Sequence, residues 1–295
     1  MPHPDTVEVT EGTLRQWRLP EPASDKDTRG EVLVVGGGAR TPGGVLLAGE
    51  ASLRVGGGKL RIATAGTVAP VLAVSVPEAL VAPLPEDGGG AVGPTAADEV
   101  RAIIGSADVV LLGPGMGDPG ASVGLLRQVV PGLDAQVVVD ALASAFVTEH
   151  PHGLRHLSGR CVLTVNPNEL ARVLDRDEAH VTGDPVRAAL DGARLTGAVV
   201  LCGGTVKAVG APDGASWVVR PGGPGLGVSG SGDVQAGLVA GLLARGATPP
   251  QAAVWGAYLH GSAGDRLARS VGEVGFLARE LLPVVPRLLA ELTAR

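Results

Sequence analysis

The chain has 295 residues, a formal net charge of −6 and 45% hydrophobic residues, enough to bury a full core as one large α/β domain. The negative balance works against nucleic acid as a partner, and three Trp, one Tyr and two Phe are too few for a base-stacking platform. No apolar run approaches the roughly 18 residues of a membrane span, and the polar N-terminus carries no signal-peptide pattern, so a soluble cytoplasmic protein binding neither membrane nor nucleic acid is expected.

Residues 1–29 read as a polar tail, and 30–295 as a single domain. Glu31–Val35 is a β-rich run ending at Gly36-Gly37-Gly38, and Gly43–Val55 reads as a helix with Leu46, Leu47, Ala51 and Val55 on one stripe. Lys59–Ala63 follows as a strand, and the Pro/Gly segment Pro83–Pro94 as a surface loop. Val109–Leu112, Val137–Val139, Val162–Val165 and Val199–Leu201 are short continuous apolar runs, each followed by a turn and a helical pattern. Strands apolar on both faces and separated by helices predict a mainly parallel sheet covered on both sides. From Asp233 the chain turns helical, through Gln251–Leu267 to a last helix near Arg287–Leu292. Cys161 and Cys202 form no CxxC pair and are expected to be reduced thiols.

Ligands of such sheets bind beyond the strand C-termini, and several loops there are candidates. Gly36–Gly44 fails both common phosphate motifs: GxGxxG needs Gly at Thr41, and a Walker loop needs Lys at Gly44. Gly113-Pro114-Gly115-Met116-Gly117 follows a strand and reads equally as a ligand loop or a tight turn. Asp140 ends a strand and could reach Mg²⁺ through water, or be structural. In Asn166-Pro167-Asn168-Glu169, Asn168 reads as a helix cap and Glu169 as a partner of the helix dipole. His260, inside a helical pattern, reads as packing.

The most informative segment is Pro224–Leu243, in which Gly230-Ser231-Gly232 runs into Asp233 and then an apolar helix. The first helical N–H groups lack intrahelical partners and attract anions, and glycines let backbone approach a phosphate. Asp233 is placed to deprotonate a hydroxyl beside that anion hole, formed by the amides of Gly230, Ser231 and Gly232. The residues alone leave a second reading open, in which Asp233 caps the helix.

Gly36-Gly37-Gly38 with Pro42-Gly43, Ala51 to Gly56, Pro77-Glu78, the Gly113–Gly117 loop, Leu163-Thr164 with Glu169, Gly230–Asp233 and Tyr258–Asp265 occur in the order found in the ADP-dependent (S)-NAD(P)H-hydrate dehydratases. The chain resembles that family, of the ribokinase-like superfamily, over roughly residues 25–285. The resemblance implies a ribokinase-like three-layer sandwich and repair of hydrated NADH or NADPH with ADP or ATP and Mg²⁺. The ring hydroxyl is phosphorylated and phosphate then leaves. It implies Asp233 as the base, Gly44, Gly117, Asn166 and Asp233 at the hydrate, and Cys202, Gly203, Gly204, Thr205, Val206 and Gly232 at the adenine nucleotide, in a homo-oligomer. The metal ligands stay unassigned. Where the family usually has Lys-Gly this chain has Cys202-Gly203, with Lys207 five residues on, and Asn166 stands for a usual His. A kinase of the same fold acting on a small hydroxylated molecule, and a non-catalytic nucleotide-binding relative, are the alternative readings.

Overall fold

Apolar residues in the central strands divide by parity, as a sheet covered on both faces requires. Val32, Val34, Val109, Leu111, Val138, Val162, Val199 and Leu201 enter one core. Leu33, Val35, Val110, Leu112, Val137, Val139, Leu163 and Val200 enter the other. The computed structural model describes residues 6–105 and 107–294. In chain order its elements are β1 (Val7–Glu8), α1 (Glu11–Gln16), β2 (Glu31–Val35), α2 (Gly43–Arg54), β3 (Lys59–Ala65), α3 (Ala69–Ser75) and β4 (Ala79–Leu84). Then come α4 (Ala97–Ile104), β5 (Val109–Leu112), α5 (Pro119–Val129), β6 (Gln136–Asp140), α6 (Ser144–Glu149), β7 (Cys161–Val165), α7 (Pro167–Leu174), α8 (Glu178–Gly183) and α9 (Pro185–Thr196). The last third holds β8 (Val199–Cys202), β9 (Lys207–Gly210), β10 (Ser216–Val219), α10 (Ser231–Ala244), α11 (Pro249–Ser270), α12 (Ala278–Leu281) and α13 (Val285–Thr293).

The strands form one sheet in the order β1-β10-β9-β8-β7-β6-β5-β2-β3-β4, parallel throughout except that β9 runs against both neighbours. Helices α2, α10 and α11 cover one face, and α5, α7 and α9 the other. The expected three-layer α/β sandwich is therefore present. No helix among the described residues is long and apolar enough to cross a membrane.

The N-terminal segment departs from the expected tail. Residues 1–5 lie outside the described residues, but β1 pairs in parallel with β10, and Leu14 of α1 is fully buried. Trp17 stacks on Trp217 at 5.5 Å between ring centroids, and its carbonyl accepts the indole N–H of Trp255 at 3.0 Å. Charged residues mask this apolar set, Val9, Leu14 and Trp17, in the sequence. The expected loop Pro83–Pro94 likewise begins inside β4 and closes on a bridge between Glu86 and Val92.

α10 is apolar on every side because every side is covered. It packs so closely on α2 that a Cβ at Gly237 would lie 2.1 Å from the Ala48 carbonyl oxygen, and one at Gly241 2.2 Å from that of Ser52. This contact fixes the N-terminus of α10 over the strand ends.

Candidate active site

A cavity of about 690 Å³ opens at the C-terminal ends of β6, β7 and β8. Its floor is the start of α10. Gly230 enters the helix in the left-handed conformation (φ +88°), and a Cβ there would meet Leu47 at 2.5 Å, so only glycine makes this turn. No side chain caps the helix, and the amides of Gly232 and Asp233 have no backbone partner among the described residues. The expected anion hole is corrected at one position: the Ser231 amide donates to the Val228 carbonyl at 3.1 Å. Ser231 serves the cavity with its side chain instead, its Oγ lying 2.9 Å from His260 Nε2.

Asp233 projects into the cavity, and burial pushes its pKa up to about 6. It is no cap, since no hydrogen bond runs from its side chain to a helix amide among the described residues. Asp140 lies on the wall at the end of β6, where Thr164 Oγ1 donates to its Oδ1 at 2.6 Å. Burial holds its pKa well above the ordinary range, and the negative charge of Asp233 raises it further. The backbone leaves this carboxylate through Ala141 at φ +48°, a strained conformation for a residue with a Cβ, beside the cavity.

Asn166 and Glu169 also line the wall, and together they start α7. Asn166 Oδ1 accepts the Glu169 amide at 2.9 Å while Glu169 Oε2 accepts the Asn166 amide at 2.9 Å. The cap is thus Asn166, not Asn168, whose side-chain amide donates to Glu178. Desolvation raises the Glu169 pKa.

Of the residues expected around a nucleotide, Gly203, Gly204, Thr205 and Gly232 line the cavity. Cys202 and Val206 do not. Cys202 is fully buried, its thiol pushed up to about 12 by desolvation, and packs with Val200 and Ala208 on the α9 side of the sheet. Gly44 and Gly117 also lie outside this cavity. Gly44 packs on the Gly113–Gly117 loop, where a Cβ would come within 2.5 Å of the Gly115 amide nitrogen. Thr41 Oγ1 donates to the Gly115 carbonyl at 2.7 Å, and the Gly37 amide donates to the Pro114 carbonyl at 2.9 Å. The two glycine loops thus form one unit over the ends of β2 and β5, neighbours of β6 in the sheet.

The family model described as NAD(P)H-hydrate dehydratase matches residues 32–287. The ADP-dependent (S)-NAD(P)H-hydrate dehydratase of Xanthomonas campestris is 44% identical over 99% of both chains. The chain belongs to the NAD(P)H-hydrate dehydratase family. The bifunctional NAD(P)H-hydrate repair enzyme of Moorella thermoacetica is 36% identical over 92% of this chain, which spans about half (51%) of that protein. In fold, the chain is similar to a ribokinase-like superfamily protein of Enterococcus faecalis (TM-score 0.84, 21% identity, 100% and 99% of the two chains). It is also similar to the ADP/ATP-dependent NAD(P)H-hydrate dehydratase of Bacillus subtilis co-crystallised with ATP/Mg²⁺ (TM-score 0.81, 24% identity, 98% and 100%).

Of the polar residues of this family member's cavity, the sequence hides His260 and leaves Lys207 open as a substitute for the missing lysine. His260 reads as packing because its neighbours on α11 are apolar, yet it lies at the cavity, 4% exposed, with Nε2 on Ser231 and Nδ1 without a partner among the described residues. Burial, with Lys207 nearby, lowers its pKa to about 3, so the ring is neutral. Lys207 also reaches the cavity, although strand parity sends it to the sheet face opposite Cys202. Its position at the start of β9, immediately after a glycine loop, was the available signal.

Among the described residues no three His, Cys, Asp or Glu side chains gather to hold a metal ion. The oxygen donors present suit Mg²⁺ bound mainly through nucleotide phosphates and water. Asp140 and Asp233 fit that ion, because their mutual repulsion in a desolvated wall is relieved by a cation.

Proposed function

We propose that this chain dehydrates hydrated NADH and NADPH back to the working cofactors with an adenine nucleotide as phosphoryl donor. The observation that carries the reading is Asp233: a carboxylate beside free amides of the α10 N-terminus, in a cavity shared with the Gly203–Thr205 loop, within a family of that activity. Asp233 accepts the proton of the ring hydroxyl as its oxygen takes the terminal phosphoryl group. The amides of Gly232 and Asp233 offset charge on the phosphoryl oxygens. The C–O bond then breaks with phosphate as leaving group, and loss of a proton from the adjacent ring carbon restores the double bond. Mg²⁺, bound with the nucleotide, supplies charge neutralisation of its phosphates. Asp140, beside Asp233, would hold it through water, and the Gly44 and Gly117 loops would hold the hydrate.

The reading carries with it a cytoplasmic enzyme, where reduced nicotinamide cofactors turn over, and association between copies. Val71 and Val74 on α3 and Leu80 on the edge strand β4 are exposed and supply an apolar surface for that contact. Recovery of absorbance at 340 nm from hydrated NADH, Mg²⁺ and ADP or ATP tests the activity. Recovery by the unaltered protein and none by Asp233→Ala supports it. No recovery with either nucleotide rejects it, and a stable phosphorylated product in place of free phosphate supports the kinase alternative.

A further inference from the structure

Lys207 is 3% exposed, and its Nζ donates to the Pro221 carbonyl at 2.9 Å. Among the described residues it forms no ion pair. An ammonium has three N–H donors, and a buried one left short of partners costs stability. The surrounding structure nevertheless holds it firmly. Gly222 follows Pro221 at φ +113°, and a Cβ there would sit 2.9 Å from Lys207 Nζ and 2.6 Å from Leu226. The Gly222 amide is in turn tied to Asp265 Oδ1 at 3.0 Å. The Pro221-Gly222 strap is thus fixed between α11 and the ammonium.

The charges around the cavity say what the ammonium is for. Among the described residues the wall carries three carboxylates, Asp140, Glu169 and Asp233, and Lys207 is the one Lys or Arg on it. His260 is neutral. A polyphosphate entering such a cavity meets free amides at one side and repulsion from carboxylates elsewhere, so a fixed cation decides its orientation. Cys202, where the family usually has lysine, supplies none.

We propose that Lys207 binds the phosphate chain of the adenine nucleotide, entering from the opposite face of the sheet to supply the charge that Cys202 lacks. This rests on the nucleotide-dependent reading above. It assigns Lys207 a binding role and leaves proton transfer to Asp233. Burial lowers the lysine pKa to about 8, opposed by Asp265 on α11. The other titratable groups facing the cavity are His260 on α11, Asp233 on α10, Asp140 at the end of β6 and Glu169 on α7. Above about pH 8 the empty site therefore loses its charge, and phosphate affinity falls with it.

The test is calorimetric titration of ADP and of adenosine, with Mg²⁺, into the unaltered protein and Lys207→Met, Lys207→Gln and Lys207→Arg. Loss of the charge is expected to weaken ADP about tenfold to a hundredfold while adenosine is unchanged. Lys207→Arg should retain ADP binding and remove its decline between pH 7 and 9.5. ADP affinity of Lys207→Met or Lys207→Gln within about twofold of the unaltered protein overturns the proposal. Should both neutral variants fail to fold, ADP binding the unaltered protein within about twofold of adenosine overturns it, since the phosphate chain then adds no affinity. Lys207-dependent ADP binding without dehydration of hydrated NADH would sink the dehydratase reading and leave this one standing. An unaltered protein that binds no adenine nucleotide sinks both.

Discussion

Burial of Asp233 sets both a pH limit on activity and a cost to folding. A general base must be deprotonated, so with its pKa raised to about 6 kcat/KM for hydrated NADH should fall tenfold per pH unit below that value. An acid limb near pH 4 would show that burial leaves the Asp233 pKa at its ordinary value. The same shift opposes folding. Between the ordinary value of 3.8 and about 6 the unfolded chain has released this proton while the folded one keeps it. The penalty is absent below about pH 4 and complete above about pH 7. Asp233→Asn should therefore stabilise the fold by about 1–3 kcal/mol at pH 8, the lower end reflecting partial solvent access, and by little at pH 4. Denaturant titrations at the two pH values measure the difference. Asp233 and its glycines are legible as residues because one loop supplies them in sequence. Lys207 is legible as a candidate cation but not in its direction, and His260 not at all, since parity and packing from distant elements bring them to the same cavity.

At the level of elements, the runs that become β2, β5, β6, β7 and β8 are legible because each is continuously apolar, and burial on both faces demands that. The position of α10 is legible only in part. Its glycines suggest a flexible or close-packed helix, and the structure selects close packing: Gly237 and Gly241 touch the α2 carbonyls of Ala48 and Ser52. A methyl group has no free space there, and the clash is with backbone. Gly237→Ala should cost about 2–4 kcal/mol of stability despite alanine's better helix propensity. Because α10 carries Asp233 at its first turn, the same variant should lose kcat more than nucleotide affinity. Stability equal to the unaltered protein, by urea titration, would show that α10 and α2 can separate at no cost.

At the scale of the molecule, the edge of the sheet decides how far the domain extends. A polar N-terminus resembles a tail because its few apolar side chains are separated by charged ones, and their partners, Trp217, Gln251 and Trp255, lie more than 190 residues away. Sequence patterns of local period cannot show such contacts. β1 shields β10, which would otherwise be an open edge, and Trp17 and Arg18 accept hydrogen bonds from Gln251 as α11 begins. Deleting residues 1–20 removes Val9, Leu14, Trp17 and Leu19 from the core and uncovers Trp255. That burial is worth about 3–6 kcal/mol, so Tm should fall by about 5–10 °C, with a red shift of tryptophan emission as Trp217 and Trp255 meet water. The cavity lies beyond the ends of β6 to β8, separated from β1 by β9 and β10, so the truncated protein should still bind ADP at temperatures where it is folded. An unchanged Tm would restore the segment to a tail, and lost ADP binding in folded protein would show that the edge supports the Lys207 strand.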